Sequence, residues 1–126
     1  MYTISQVSKK LGISAHALRF YDNEGLIPNL SRDANNFRYF SEQDVEWINQ
    51  IQCMRRTGMP ITQIHRYLEA WKEGEHTFKE RYRMIREQRD RVKAELEEIK
   101  ERLRLLEYKM KYYRGMINRK DAVSRH

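Results

Sequence analysis

The stretch that decides the fold reads SAHALRFY at residues 14–21, followed by GLIP at 25–28 and NFRY at 36–39. Ser14 is placed to cap a helix that ends before Gly25, because its hydroxyl can accept a hydrogen bond from the first helical turn. Upstream, Thr3 and Gln6 have the spacing of a capping box, which predicts a shorter helix that breaks at Gly12. Two short helices joined by a glycine-containing turn predict a helix-turn-helix.

The residues after this pair of helices predict a basic wing. Arg32 and Arg38 flank a turn in which Asp33 is the one acid, and no acid precedes Asp22. This local excess favours DNA as the partner. The net charge of +7 is a weaker argument, because nine basic and nine acidic residues balance through Glu75 and the excess lies in the C-terminal half.

Residues 1–71 resemble the winged helix-turn-helix DNA-binding domain of the MerR family of bacterial transcription regulators. Asn36 stands where the wing of that family usually has Gly, and Phe20 where Tyr is common. Asn tolerates a left-handed backbone, so the wing need not change. The residues that carry the resemblance are Leu18, Arg19, Phe20, Tyr21, Glu24, Gly25, Leu26, Ile27, Arg32, Arg38, Phe40, residues 55–59, Ile61 and Ile64.

The resemblance places DNA contacts in the second helix and in the wing. His16 and Arg19 share a helix face, and Tyr21 offers a hydroxyl to a phosphate. An alternative stays open for each of two residues: Tyr21 is a core ring with a satisfied hydroxyl, and His16 is a surface residue without a role. The candidate DNA-binding residues are Ser14, His16, Arg19, Tyr21, Arg32, Asn36, Arg38 and Tyr39.

The rest of the first domain is predicted to be a pair of helices. Ser41 and Asp44 begin one helix, which closes at Gly58, and a second helix follows Pro60. Residues 72–76 are predicted to be a linker.

From Thr77 the chain carries a heptad pattern. Thr77 and Glu80 predict another capping box, and apolar residues then recur with alternating steps of four and three, interrupted by Arg89. So narrow a stripe requires a partner helix, which predicts a homodimeric coiled coil over 77–114 and a tail over 115–126. Charge pairing alone does not choose the strand orientation, and the family resemblance implies an antiparallel pair. The candidate dimerisation residues are Ile85, Val92, Leu96, Ile99, Leu103, Leu106 and Met110.

The predicted fold is therefore all-α, mainly helical: a winged helix-turn-helix followed by a long dimerisation helix. A two-fold dimer reads a palindrome. The resemblance implies a promoter operator, activation by distorting the promoter spacer, and RNA polymerase as an indirect partner. A coiled-coil adaptor with a helical domain that does not bind DNA is the alternative. An enzyme is not expected, because the sequence has no phosphate loop and no nucleophile with a partner.

The signal that controls such a regulator is less defined. The histidines, His16, His65, His76 and His126, lack ligand spacing, so neither a metal nor a cofactor is expected. Cys53 falls opposite the apolar stripe of its helix, one turn before Arg56, where its thiol is expected to be exposed. Some relatives respond to aldehydes or other electrophiles through a lone cysteine in this helix, which makes Cys53 a candidate sensor.

One cysteine, no apolar run of membrane-spanning length and no leader-like N-terminus predict cytoplasmic residence without a membrane partner.

Overall fold

The structure, a computed structural model, describes residues 1–28 and 30–124. The chain divides into two units, Met1–Ile85 and the remainder of the last helix from Arg86 onward. The mainly helical prediction is confirmed. The elements are β1 (Tyr2–Thr3), α1 (Ile4–Leu11), α2 (Ala15–Asn23), β2 (Ser31–Arg32), β3 (Arg38–Phe40), α3 (Glu42–Arg56), α4 (Ile61–Glu73), a 3-10 turn (Glu75–Thr77) and α5 (Phe78–Ser124).

Side-chain caps set the starts of the N-terminal helices as the sequence predicts. The amide of Gln6 donates to the Thr3 hydroxyl over 3.2 Å, and the amide of Thr3 donates to the Gln6 side chain over 2.8 Å. Ser41 and Asp44 form the same reciprocal pair at the start of α3. These bonds satisfy backbone donors that a helix start leaves without an intrahelical partner.

A small antiparallel sheet holds the wing against the N-terminus. Its strand order is β1-β3-β2, so the two residues of β1 pair with the wing strand β3. Tyr2 lies opposite Phe40, and Arg32 lies opposite Arg38. The sequence predicts the wing but gives no sign of β1, because two residues are too few to show an alternating pattern.

One hydrophobic core unites α1 to α4 and the wing in the first unit. Trp47 packs against Trp71 with 5.4 Å between ring centroids, and its indole nitrogen donates to the Leu26 carbonyl over 2.6 Å. The core therefore fixes the chain that links α2 to the wing. The largest fully buried side chains are Val7, Leu18, Leu26, Phe40, Ile48, Ile51, Met59, Ile64 and Leu68.

The junction between α4 and α5 differs from the predicted linker. Residues 72–73 belong to α4, and Gly74, with φ 106°, is followed directly by the 3-10 turn. The capping box predicted at Thr77 and Glu80 is wrong. The buried Thr77 hydroxyl instead shares its one proton between the carbonyls of Ala70 and Gly74, at 2.6 and 2.7 Å, and it accepts from Arg81 Nε over 3.0 Å.

Helix α5 continues beyond the predicted tail boundary. It has 47 residues and runs through Gly115 to Ser124, so the prediction that the helix ends at 114 is wrong. Arg125 and His126, the end of that predicted tail, lie outside the described residues. Although α5 is long, none of the helices in the described residues combines the length and the apolar character needed to cross a bilayer.

Candidate nucleic-acid interface

The geometry of α2 is set by the turn that precedes it. Gly12 adopts the left-handed conformation with φ 63°, a region that costs other residues steric energy. Ser14 then caps α2, because its hydroxyl accepts from the amide of Ala17 over 3.0 Å. Leu18 is fully buried, whereas His16 and Arg19 are exposed on the outer face. The helix therefore presents a polar, cationic face to the solvent.

Tyr21 lies in the core rather than on this face. Its side chain is 8% exposed and belongs to the buried cluster that includes Leu18. The ring of Tyr21 is therefore part of the core, as that alternative expects. A phosphate contact through its hydroxyl stays a prediction.

The wing is a β-hairpin whose turn is organised by Asp33. One oxygen of its carboxylate accepts from the amides of Asn35 and Phe37, both over 2.9 Å. Asn36 has φ 66° and is the one non-glycine residue with a positive φ among the described residues. The expectation that Asn adopts the conformation usually supplied by Gly is confirmed.

Asp22 joins the end of α2 to both wing arginines. Its Oδ2 accepts from Arg38 Nε and from Arg32 NH2, each over 2.7 Å. The carboxylate side chain is 11% exposed and that of Arg38 is 17% exposed, so this pair is largely withdrawn from water. Arg32 also donates to the Asn36 side chain over 3.1 Å. The predicted cationic contacts of the wing are therefore held in place by a common acid.

Tyr39 lies in the middle of the wing strand β3 and is partly exposed. Its hydroxyl donates to Asp33 Oδ2 over 3.2 Å. This hydrogen bond, together with the negative charge of Asp33, raises the pKa of Tyr39 above its ordinary value of 10.0. The phenol therefore stays protonated, as a hydrogen-bond donor, over the physiological pH range.

Sequence reasoning missed the structural role of one acid, Asp22, and the exposure of two aromatic rings. Asp22 was counted only as a charge, although an acid in the last turn of a helix opposes the helix dipole, which is a signal that something compensates it. Phe20 on α2 and Phe37 on the wing are 41% and 64% exposed, and both adjoin the candidate contacts. Their position within a polar surface is the signal that could have drawn attention to them.

The candidate sensor, Cys53, is a free and exposed cysteine on α3. This exposure of the thiol is as the sequence predicts, and Arg56, one helical turn further on, is also exposed. No group of three or more potential metal ligands comes together in the part of the chain that the structure describes, which does not include His126.

The candidate dimerisation residues form an apolar stripe along α5. Each of the seven residues from Ile85 to Met110 is at least 38% exposed in the single chain. A stripe of this length on one helix is the surface that a coiled-coil partner buries.

Comparison with known proteins gives two family matches. Residues 2–71 match the family described as "MerR HTH family regulatory protein", and residues 45–107 match the one described as "MerR, DNA binding". An uncharacterized HTH-type transcriptional regulator of Haemophilus influenzae is 42% identical over 112 residues, which cover 89% of this chain and 83% of that protein. The HTH-type transcriptional regulator AdhR of Bacillus subtilis is 36% identical over 71% of this chain and 64% of its own length.

A solved structure agrees with these matches. It is the crystal structure of HiNmlR, described as a MerR family regulator lacking the sensor domain, bound to promoter DNA. Its sequence is 42% identical, it aligns with a TM-score of 0.68, and the alignment covers 90% of this chain and 86% of that one.

Proposed function

We propose that this chain, which belongs to the MerR family of DNA-binding transcription regulators, works as a homodimer on a palindromic promoter site. The observation that carries the proposal is the outer face of α2, where His16 and Arg19 are exposed while Leu18 is buried, next to a basic wing in the same unit. Two such units related by two-fold symmetry match a palindrome.

Within each protomer, α2 lies in the major groove. Arg19 contacts a phosphate or a guanine edge, and His16 reads a base edge. Ser14 caps α2 and stands exposed at its N-terminus, where backbone amides favour a phosphate. The Tyr21 hydroxyl is a further phosphate donor at the edge of the core.

The wing holds the flanking backbone. The ion pair with Asp22 engages one of the five N–H donors of Arg38, and the NH1 and NH2 groups retain the capacity to donate to phosphate. Arg32, Asn36 and Tyr39 add polar groups on the same hairpin. These contacts give affinity and register rather than sequence readout.

The dimer forms through the stripe on α5, with the antiparallel pairing that the family resemblance implies. The chain acts by binding and not by catalysis, in the cytoplasm where bacterial promoters lie. It activates transcription by distorting the promoter spacer, so RNA polymerase is an indirect partner through the DNA.

Salt dependence of DNA affinity tests the proposal. Fluorescence anisotropy on a palindromic duplex should show affinity falling steeply with salt. If Arg19 contacts a phosphate in each protomer, Arg19→Ala should reduce the log-log slope by roughly 2. Arg38→Ala should weaken all duplexes alike, whereas His16→Ala should blur discrimination at one position of each half-site. Lys93→Ala, which removes an exposed cation of α5, is the control and should leave the affinity unchanged. If neither arginine variant alters affinity or slope, the coiled-coil adaptor becomes the better reading.

We also propose that Cys53 senses electrophiles. Its exposure and the exposed Arg56 on the next turn support this role. Cys53→Ser should bind DNA as the wild type does but lose any change in operator binding that a small aldehyde or a thiol-reactive reagent produces. If Cys53→Ser responds to these reagents as the wild type does, Cys53 is not the sensor.

A further inference from the structure

We infer that Asp22 is a positioning residue for DNA recognition, which fixes the wing relative to α2 through its two ion pairs. The inference rests on the proposed function, because it assigns a role within the same interface. Asp22 does not itself contact DNA in this assignment: it acts through Arg32 and Arg38.

The geometry of the cluster separates it from an ordinary surface ion pair. Arg32 NH2 and Arg38 Nε both lie 2.7 Å from the same oxygen, Oδ2 of Asp22, so the two guanidinium groups are held within twice that distance of each other. Two like charges brought so close repel each other unless an anion lies between them. Removal of the carboxylate would therefore push the arginines apart.

The low exposure of the cluster increases the effect. Asp22 and Arg38 are mostly shielded from water. Their electrostatic interaction is therefore screened less than that of an ion pair on an open surface. Arg32, the more exposed partner, also donates to the side chain of Asn36 at the tip of the wing. A single carboxylate thus connects the last turn of α2 with both strands and the turn of the wing.

This connection has a consequence that runs against simple electrostatics. An acid within a DNA-binding surface ordinarily weakens DNA binding, so its removal strengthens binding to every duplex. If Asp22 positions the wing, its removal leaves both arginine charges available to attract any duplex but releases the wing from the position in which it engages the preferred site together with α2. Binding to the preferred site must then weaken, while binding to other DNA is unchanged or strengthened. The ratio of specific to non-specific affinity is therefore the informative quantity.

The experiment compares two variants that lose the same charge. Asp22→Asn removes the anion from the cluster, and Glu24→Gln removes an exposed acid two residues further on. The specific probe is a duplex that the wild-type protein selects from a random-sequence library, and the non-specific probe is its scrambled version. Anisotropy at several salt concentrations measures both, after circular dichroism and thermal melting have established that each variant is folded.

We expect Glu24→Gln to keep the wild-type affinity ratio. Asp22→Asn should lower that ratio by roughly tenfold or more, the scale of a hydrogen bond to a charged group, with unchanged or tighter binding to the scrambled duplex. If Asp22→Asn has the same ratio as Glu24→Gln, or weakens both duplexes equally, the inference is overturned while the proposed function stands. If the wild type prefers no duplex over its scrambled version, the inference about Asp22 and the proposed function are both overturned.

If Asp22→Asn does not fold, Asp22→Glu tests the same inference. It keeps the net charge but moves the carboxylate outward by one methylene group, so the arginines shift while the fold retains its ion pairs. The affinity ratio should fall by about threefold or more with unchanged binding to the scrambled duplex, because small displacements of a binding group are costly. A folded Asp22→Glu variant with the wild-type ratio would overturn the inference.

Discussion

At the scale of single residues, the wing shows how one side chain can satisfy a backbone requirement and make a contact at the same time. Asn36 adopts a positive φ, and its side chain accepts a hydrogen bond from Arg32. Gly would meet the first requirement but not the second. The departure from the family pattern at this position therefore adds a contact to the cluster that Asp22 organises.

Substitution of Asn36 by Ala should destabilise the first unit. The Cβ of alanine in a left-handed conformation costs about 1 kcal/mol without the local hydrogen bonding that helps Asn adopt it. Urea denaturation of Asn36→Ala should show this loss, whereas Asn35→Ala, the exposed neighbour, should change the free energy of unfolding much less. Equal effects at both positions would mean that the conformation at residue 36 carries no cost.

Tyr39 gives a prediction about pH. Its pKa is raised in the folded protein by the hydrogen bond and the charge of Asp33. A group with a raised folded pKa contributes stability that is fully present below the unfolded pKa, about 10, and is lost as the pH rises through the folded pKa. The wild type should therefore lose stability above about pH 10 through this group, and Tyr39→Phe should lack that component.

The measurement is a titration of the eight tyrosines by ultraviolet absorbance, together with denaturation at high pH. One phenol of the wild type should titrate late and be absent from Tyr39→Phe. Tyr108→Phe, which removes an exposed tyrosine of α5, is the control and should leave the late component in place. A late phenol that persists in Tyr39→Phe would assign the raised pKa to another residue.

At the scale of elements, local sequence signals predict the helices well, but they do not predict contacts between residues that are far apart in the sequence. The caps at Thr3, Ser14 and Ser41 depend on residues three positions apart, so the sequence contains all the information needed. The pairing of Asp22 with Arg32 and Arg38 spans 10 and 16 positions and exists only once the wing folds back onto α2. The exposed face of α2 and the basic wing could both be predicted, whereas the ion pairs that join Asp22 to the two wing arginines could not.

The junction before α5 shows how a correct local pattern gave a wrong contact. Thr77 and Glu80 have the spacing of a capping box, yet the carbonyls at the end of α4 compete for the same hydroxyl. A helix C-terminus leaves carbonyls without partners, and a buried hydroxyl satisfies them better than solvent can. The sequence does not reveal that α4 ends within reach of Thr77.

Thr77→Val should therefore destabilise the first unit by about 1–3 kcal/mol, because it leaves the Ala70 carbonyl and Arg81 without this buried partner. Valine has nearly the same shape, so the loss reports the hydroxyl. Thr62→Val, on the exposed face of α4, should change stability by less than about 0.5 kcal/mol. Chemical denaturation of both variants checks the difference, and Thr77→Ser should recover much of the stability. An unchanged midpoint in Thr77→Val would contradict the assigned role.

At the scale of the whole molecule, the distribution of apolar surface determines the assembly. The first unit gathers most of its hydrophobic side chains into one buried core, whereas α5 leaves a regular apolar stripe exposed over many turns. A soluble helix can carry scattered apolar residues without consequence, but a stripe with heptad spacing is stable only against another helix. Because a palindrome requires two recognition helices, the same stripe links assembly to specificity.

Two leucines on α5 provide a matched test of this link. Leu103 lies in the heptad stripe and is 52% exposed in the single chain, while Leu105 is 59% exposed and is rotated by about 200° around the helix axis. Lysine at 103 places a charge inside the seam, where burial without a partner is unfavourable, so Leu103→Lys should sediment as a monomer at micromolar concentration. Leu105→Lys makes the same chemical change outside the seam and should remain a dimer. Analytical ultracentrifugation distinguishes the monomeric from the dimeric variant. Anisotropy on a palindromic duplex should show strong binding only for the variant that dimerises, because a monomer engages one half-site. If the wild type is itself monomeric, or if both variants dissociate equally, the heptad stripe is not the dimer interface and the two recognition helices must be brought together by another surface.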